Sequence, residues 1–278
     1  MRREVLAGWT FRSVPFFARP RAVSGRMVAA LMAAGVACGS LSANVFAAEE
    51  REGPRVRLPK GDCAAPKPKT DLRHCDFSGR DLTGVDLHGA NLTGVKFDNA
   101  RMAGCDLIGA RLRMASFKWA DLSDCFLEYA DMKSADLFHT NLARAMLRGV
   151  DLRRAFLFGT EFSAAYGDDA DFSESFMKDV VMENSRFRRA RFMRAHMLRA
   201  VIIGADFRWA DFRGAELTGA AAEESDFSGA DFRGANLSGA SLTRGRFIGA
   251  RFAGARMENV RSRAAIFLGA SGVPGMAR

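Results

Sequence analysis

From Leu72 to Phe267 the chain repeats with a period of five, and the phase never slips. Of the 40 positions spaced five apart, 37 hold Leu, Phe, Met or Ile; the exceptions are Gly167, Ala222 and Ser262. Two residues before each of these centres the side chain is small, at 38 of 39 sites between 75 and 265, with Arg80 the misfit. Five matches neither the 3.6-residue period of a helix nor the two-residue alternation of a straight strand. The small and large members of a pair are two apart, so extended backbone points both the same way. Because five is odd, a straight strand would throw the next pair to the opposite side. Keeping every pair inward demands one corner per repeat. Glycine stands two after the centre in seventeen repeats, Gly79, Gly84, Gly89 and Gly94 among them, and suits such corners. The chain is therefore expected to coil around its own apolar axis, each coil pairing with the next.

The units Ala90-Asn91-Leu92-Thr93-Gly94, Ala120-Asp121-Leu122, Ala230-Asp231-Phe232-Arg233-Gly234 and Ala235-Asn236-Leu237-Ser238-Gly239 resemble the pentapeptide-repeat family, whose motif is Ala-Asp/Asn-Leu followed by two variable residues. The resemblance spans about 200 residues. It implies an all-β fold, a right-handed quadrilateral β-helix with four repeats per coil. The 40 repeats then make about ten coils, roughly 48 Å of rod at about 4.8 Å per strand. Breaks in the pattern at Tyr166-Gly167-Asp168-Asp169 and Ala221-Ala222-Glu223-Glu224 predict local bulges or kinks within a surviving register.

Ahead of the repeats, residues 1–26 carry six arginines against Glu4 alone, and Met27 to Ala48 carries no charge. A basic stretch, an apolar stretch and small residues before Glu49-Glu50 read as a cleaved secretory signal over residues 1–48. The alternative is an inner-membrane anchor through residues 27–48, since these 22 residues can just span a bilayer core of about 30 Å. Its Ala, Gly and Ser content makes such insertion weak. Residues 49–70 read as a Pro/Lys-rich linker, 71–270 as the solenoid and 271–278 as a tail. The expected compartment is the periplasm. Without the leader the charge argument changes: the whole chain is +9, but residues 48–278 hold 35 basic and 31 acidic residues, or +4. No nucleic-acid partner is expected from that balance.

No catalytic constellation rises above the repeat. Aspartates before the centres belong to the motif and point outward, so paired carboxylates one coil apart do not read as acid–base catalysts. The four histidines (His74, His88, His139 and His196) lack metal-ligand spacing and read as surface residues. The acidic corner at 168–171 and the basic run Arg186, Arg188, Arg189, Arg191, Arg194 and Arg199 read as solvated surface. No cofactor, metal or small-molecule substrate is expected. Cys105 and Cys125 are inward sites one coil apart and are expected as free buried thiols. Cys63 and Cys75 are expected as a disulfide clipping the linker over the open end of the first coil, since a terminal coil needs a cap.

With 20 residues per coil, positions sharing a remainder modulo 20 form columns along the rod. One side carries Asp131, Asp151, Asp171, Asp211 and Asp231 beside Arg113, Lys133, Arg153, Arg213 and Arg233, a charged face kept in water. The side centred on Phe117, Leu137, Leu157, Met177 and Met197 instead shows Phe156 and Phe176 in one outward column and Phe138, Phe158 and Leu198 in another, with Trp119 at the adjacent corner. Such a contiguous set marks a partner or homodimer face; the competing reading is scattered exposure, with rings folded over the corners. The function expected is that of a non-enzymatic binding or scaffold rod in the cell envelope, its partner an envelope protein or a second copy. The alternative implied by the family resemblance is DNA-mimic protection of gyrase, disfavoured by the positive charge and the leader.

Overall fold

The computed structural model describes residues 57–275. The five-residue unit is uniform from Asp71 to the C-terminal end: one bridged residue, the inward centre, a two-residue turn and the small inward residue. Parallel bridges join each bridged residue to the one 20 positions later, from Asp71↔Asn91 to Arg251↔Ser271. Four turns per 20 residues make a four-sided all-β coil with its core along the axis. The inward columns from Leu72 to Phe252 are buried almost without exception.

Backbone hydrogen bonding explains the motif. Between the two end coils the centre, the second turn residue and the bridged residue donate their N–H groups to neighbouring coils, as in Gly79 N to Asp98 O and Asn91 N to Thr70 O. The small residue donates back across the corner to its own centre, as in Arg80 N to Phe77 O. One amide per unit is left over, that of the residue just after the centre. Where Asp or Asn stands just before the centre it accepts this amide, as Asp76 Oδ1 does from Ser78 N at 2.9 Å and Asp121 Oδ1 from Ser123 N at 3.0 Å. The recurring carboxylates are thus structural acceptors for an otherwise orphaned donor.

From Gly79 onward the second turn residue sits in the left-handed region, and from Met114 to Arg199 glycine holds that corner only at 149 and 159. Elsewhere in these middle coils Trp119, Tyr129, His139 and others occupy it, at a cost of about 1 kcal/mol each. No β-branched residue does, because branching at Cβ clashes there.

The core changes character along the rod. Leucines dominate the early coils, and from Phe172 one column stacks Phe172, Phe192, Phe212, Phe232 and Phe252 at 4.9–5.1 Å between ring centroids. The neighbouring column stacks Phe187, Phe207, Phe227, Phe247 and Phe267, meeting the first edge-on. Gly167 is where this aromatic volume is relieved. At Gly167 no kink occurs: the bridges Met146↔Tyr166 and Tyr166↔Arg186 continue, and the Phe187 ring occupies the space a side chain at 167 would take. The bridges Val201↔Ala221 and Ala221↔Ser241 likewise run through the second break.

The N-terminal end of the solenoid is closed by the stretch read as linker. Residues 57–70 lie on the first coil: Lys60 bridges Asp71, and Asp71 N donates to Pro59 O at 2.8 Å. Cys63 is joined to Cys75, with S–S 2.02 Å and Cα atoms 5.5 Å apart. Arg80, the one charged residue in a small inward site, donates to the Cys63 carbonyl at 2.5 Å and lies 5.3 Å over the Phe77 ring. Its site has no earlier coil to pack against, so the long side chain reaches the cap. Residues 57–70 of the stretch read as linker thus lie as a cap over the apolar end at Leu72. Residues 49–56, like the leader, lie outside the described residues. The free-thiol reading of Cys105 and Cys125 is corrected as well: the structure pairs them as a second cystine, Cα atoms 4.6 Å apart, a spacing that the stacking of coils itself sets.

Candidate functional site

The columns expected on the aromatic face come together as drawn from the sequence, and more tightly. Trp119, Phe156 and Phe176 are 58%, 49% and 46% exposed, and Leu198 is exposed one rung beyond Lys178. Phe138 and Phe158 are half-buried because they stack on each other, 5.4 Å between centroids and 12° between planes. Phe156 stacks on Phe176 at 5.2 Å. The rings therefore lie on the face as two ladders rather than standing apart in water.

Two histidines read as plain surface residues belong to these ladders. His139 stacks on Trp119 at 4.4 Å and 8°, and meets Phe138 and Phe158 edge-on. His196 stacks on Phe176 at 5.1 Å and 5°. The signal was present in the sequence: 139 falls in the column of Trp119, and 196 in that of Phe156 and Phe176. Gly159 makes room for this arrangement, since a Cβ there would lie 2.5 Å from the His139 ring. Lys178 closes one ladder, its ammonium 5.6 Å over the Phe158 ring.

Phe156 and Phe176 occupy the position just before the centre, where an Asp or Asn, in the repeats that carry one, accepts the leftover amide. Placing rings there gives up a structural hydrogen bond and exposes apolar surface at once. A shallow groove runs beside them, lined by Arg154, Phe156, Glu174, Phe176, Arg194 and His196. Glu174 pairs with Arg154 at 2.8 Å and with Arg194 at 3.7 Å, and the hydrogen bond from Arg154 holds its carboxyl below the usual range.

The remaining charged features resolve into coil-to-coil pairs. The acidic corner is answered one coil later: Asp168 by Arg186, Asp169 by Arg189 at 2.7 Å, Asp171 by Arg191 at 3.8 Å. Arg188 and Arg199 reach Asp206 and Asp179, both at 2.6 Å. Hydrogen bonds from Arg189 and Arg199 lower the pKa values of Asp169 and Asp179. At Asp151 burial pushes the carboxyl up, but hydrogen bonds from Arg153 and Lys133 outweigh it and the net shift is downward. These carboxylates are held ionised, the opposite of what a general acid needs.

Coiling brings together two groups of metal-ligand type that linear spacing hides. Cys63, His74 and Cys75 have ligand atoms within 4.8 Å, but both sulfurs are spent in the disulfide. Asp86, His88 and Asp106 converge within the same distance on exposed surface, with His88 Nδ1 2.8 Å from Asp86 and Lys69 adding its charge.

Sequence reading missed a second exposed ladder. Phe126, Met146 and Tyr166 follow one another in the bridged column of the opposite side, with Ile108 beside them; Phe126 and Tyr166 are 43% and 50% exposed. Attention to contiguous apolar residues in every column, rather than the richest side alone, would have found it.

The family model for pentapeptide repeats matches in eight copies, over residues 70–109, 115–154, 147–184, 177–219, 190–229 and 225–261. No curated protein matches the chain. Among solved structures, HetL, a pentapeptide repeat protein involved in heterocyst differentiation regulation from the cyanobacterium Nostoc sp. strain PCC 7120, is 24% identical, over 75% of this chain and 91% of that one, with a TM-score of 0.42. A pentapeptide repeat protein from the Arabidopsis thaliana thylakoid lumen is 27% identical over 37% of this chain and 66% of that one, TM-score 0.28. QnrB1, a plasmid-mediated fluoroquinolone resistance protein, is 17% identical over 68% and 92%, TM-score 0.26.

Proposed function

Because the chain belongs to the pentapeptide-repeat family, we propose that it acts without catalysis, as an exported rigid rod of the cell envelope that binds a protein partner through its aromatic face. On this reading the rod is a right-handed quadrilateral β-helix of about ten coils, delivered by a leader that residues 1–48 supply. The observation that carries the binding role is the double aromatic ladder Trp119/His139/Phe138/Phe158 and Phe156/Phe176/His196. Full burial of such a side chain is worth roughly 1.5–3 kcal/mol, and the exposed part of Trp119, Phe156 and Phe176 forgoes its share of that. Covering the face with a partner recovers it. Gyrase protection by charge mimicry is the weaker reading, since residues 48–278 carry +4 and their acids are engaged by arginines.

Phe138→Ser with Phe158→Ser touches no inward site. The double variant is expected to keep its β-rich circular dichroism and lose at least tenfold in partner or self-association affinity; unchanged association with the fold intact would remove this face from consideration. Export has its own check. Expressed in a Gram-negative host, the protein should lose its first 47 or 48 residues. Intact mass spectrometry finding Met1 or Arg2 retained on soluble cytosolic protein would sink the leader assignment.

A further inference from the structure

We infer that the C-terminal end of the rod seats end-on against an anionic phospholipid bilayer, its open apolar core entering the headgroup region inside a rim of arginines. The inference is independent of the aromatic face, which such a seating leaves free along the side of the rod.

The positive balance of the mature chain is concentrated at this end. Residues 241–278 hold seven arginines against Glu258 alone, leaving 28 basic and 30 acidic residues in 48–240. Three of the arginines turn back to acids of earlier coils: Arg244 to Glu224, Arg246 to Asp226 at 3.7 Å and Arg256 to Glu216 at 3.7 Å. Arg251, Arg261 and Arg263 are exposed and have no side-chain partner among the described residues. Two units of five separate Arg251 from Arg261, so these cations stand on opposite sides of the four-sided coil.

Between them the core lies open. Met257, Val260 and Phe267 are only half-buried, whereas Leu237, Ala240 and Phe247, their counterparts one coil earlier, are buried. On the adjoining side Ile266 is exposed, and Leu268, at 73%, is the most exposed large apolar residue among those described. Residues 271–275 continue one side only: Ser271 bridges Arg251, and a Cβ on Gly272 would lie 2.7 Å from Ala253 N. The backbone at this edge is rich in donors. In the unit 261–265, Ser262 N and Ala264 N have no backbone partner among the described residues; of the carbonyls that elsewhere pair with a following coil, only Ala265 O is left. The units on either side repeat this ratio.

These three features select the occupant. A second copy set end to end would oppose arginines to arginines and donors to donors. Nucleic acid would use the arginines but leave Leu268 and the open core in water. A phospholipid surface answers all three: phosphates take the arginines and the amides, and the boundary with the acyl chains takes the apolar groups. The unpaired amides forbid hydrocarbon depth, so the seat is shallow, with arginine stems reaching past the apolar tip to the headgroups.

Vesicle flotation tests this on residues 49–278, which lack the apolar 27–48 stretch that would itself bind lipid. Wild type should bind phosphatidylcholine vesicles containing roughly 30% phosphatidylglycerol, and pure phosphatidylcholine about tenfold or more weakly. Salt at about 0.5 M should release it from the anionic vesicles. Arg261→Gln/Arg263→Gln should weaken binding about tenfold or more, at about fivefold per cation. Ile266→Asn/Leu268→Ser should weaken it by about tenfold as well, through the lost apolar contact. That variant copies Asn236-Leu237-Ser238, where Ser238 Oγ donates to Asn236 Oδ1 at 2.8 Å, so its circular dichroism should match wild type. Phe138→Ser/Phe158→Ser should bind vesicles as wild type does, which tells failure here from failure of the aromatic face. No binding to the anionic vesicles, or binding that neither end variant weakens, would overturn the inference. So would binding of a double-stranded oligonucleotide that the arginine pair weakens and the apolar pair leaves unchanged, in place of vesicle binding. A wild-type dimer in sedimentation velocity that Ile266→Asn/Leu268→Ser makes monomeric would overturn it too, since a second copy would then cover the end.

Discussion

Gly167→Leu, which puts back the residue type that the repeat calls for, is expected to destabilise the solenoid by about 1–3 kcal/mol. Gly167 stands at a centre, yet its volume is already filled from the next coil by Phe187, whose ring lies where a Cβ at 167 would go. That ring is pinned by Phe162, Phe172 and Phe207, at 6.1, 5.6 and 5.9 Å between centroids, so it has no empty space to move into. The backbone at 167 is ordinary strand, with Gly167 N donating to Arg186 O at 2.7 Å, and the expected loss is steric rather than conformational. A double-mutant cycle separates this from a general intolerance of change. Gly167→Leu/Phe187→Leu should recover most of the stability in urea unfolding, a coupling well above 0.5 kcal/mol. Additive losses would mean that the two sites do not share one volume.

That pair shows where reading a sequence of this kind stops. The inward columns were legible because a period of five with small and large members admits only a coil, and from Leu72 to Phe252 the inward positions other than Arg80 and Val85 are buried as the pattern requires. Gly167 was legible only as an exception. Its remedy comes from a residue 20 positions away, and the repeat says nothing about which neighbour leans into a gap. Arg80 is the same case: a charged misfit until the cap places the Cys63 carbonyl beside it. The aromatic face followed from column arithmetic, but His139 and His196 did not, since a histidine was weighed as a ligand and not as a flat ring. The basic run was legible as solvated surface. Its pairing with Asp168, Asp169 and Asp179 was not, because the partners sit 18–20 residues upstream, where no local pattern joins them.

Replacing both Cys63 and Cys75 by serine is expected to remove about 3 kcal/mol of constraint from the unfolded chain, given the short loop that the bridge closes. In a solenoid each coil contacts only its neighbours, so the loss should be local to the capped end. The cap's other contacts are the Lys60↔Asp71 bridge, the hydrogen bonds of Gly61 N and Asp71 N, those of Lys69 N to His88 O and Asn91 N to Thr70 O, and the reach of Arg80 to Cys63. Amide exchange at Gly61, Asp71 and Asn91 should therefore rise by at least tenfold in the variant, while exchange in the phenylalanine-stacked coils around Phe212 stays as it was. The serine pair is preferred to a reductant because a reductant would also open Cys105–Cys125, one coil further in. Peptide mapping of exported wild type without reduction should recover Cys63 linked to Cys75. If both thiols alkylate freely, or if exchange at the first coil is unmoved by the serines, the covalent cap is not what holds residues 57–70 in place, and the Arg80 anchor becomes the element to remove next.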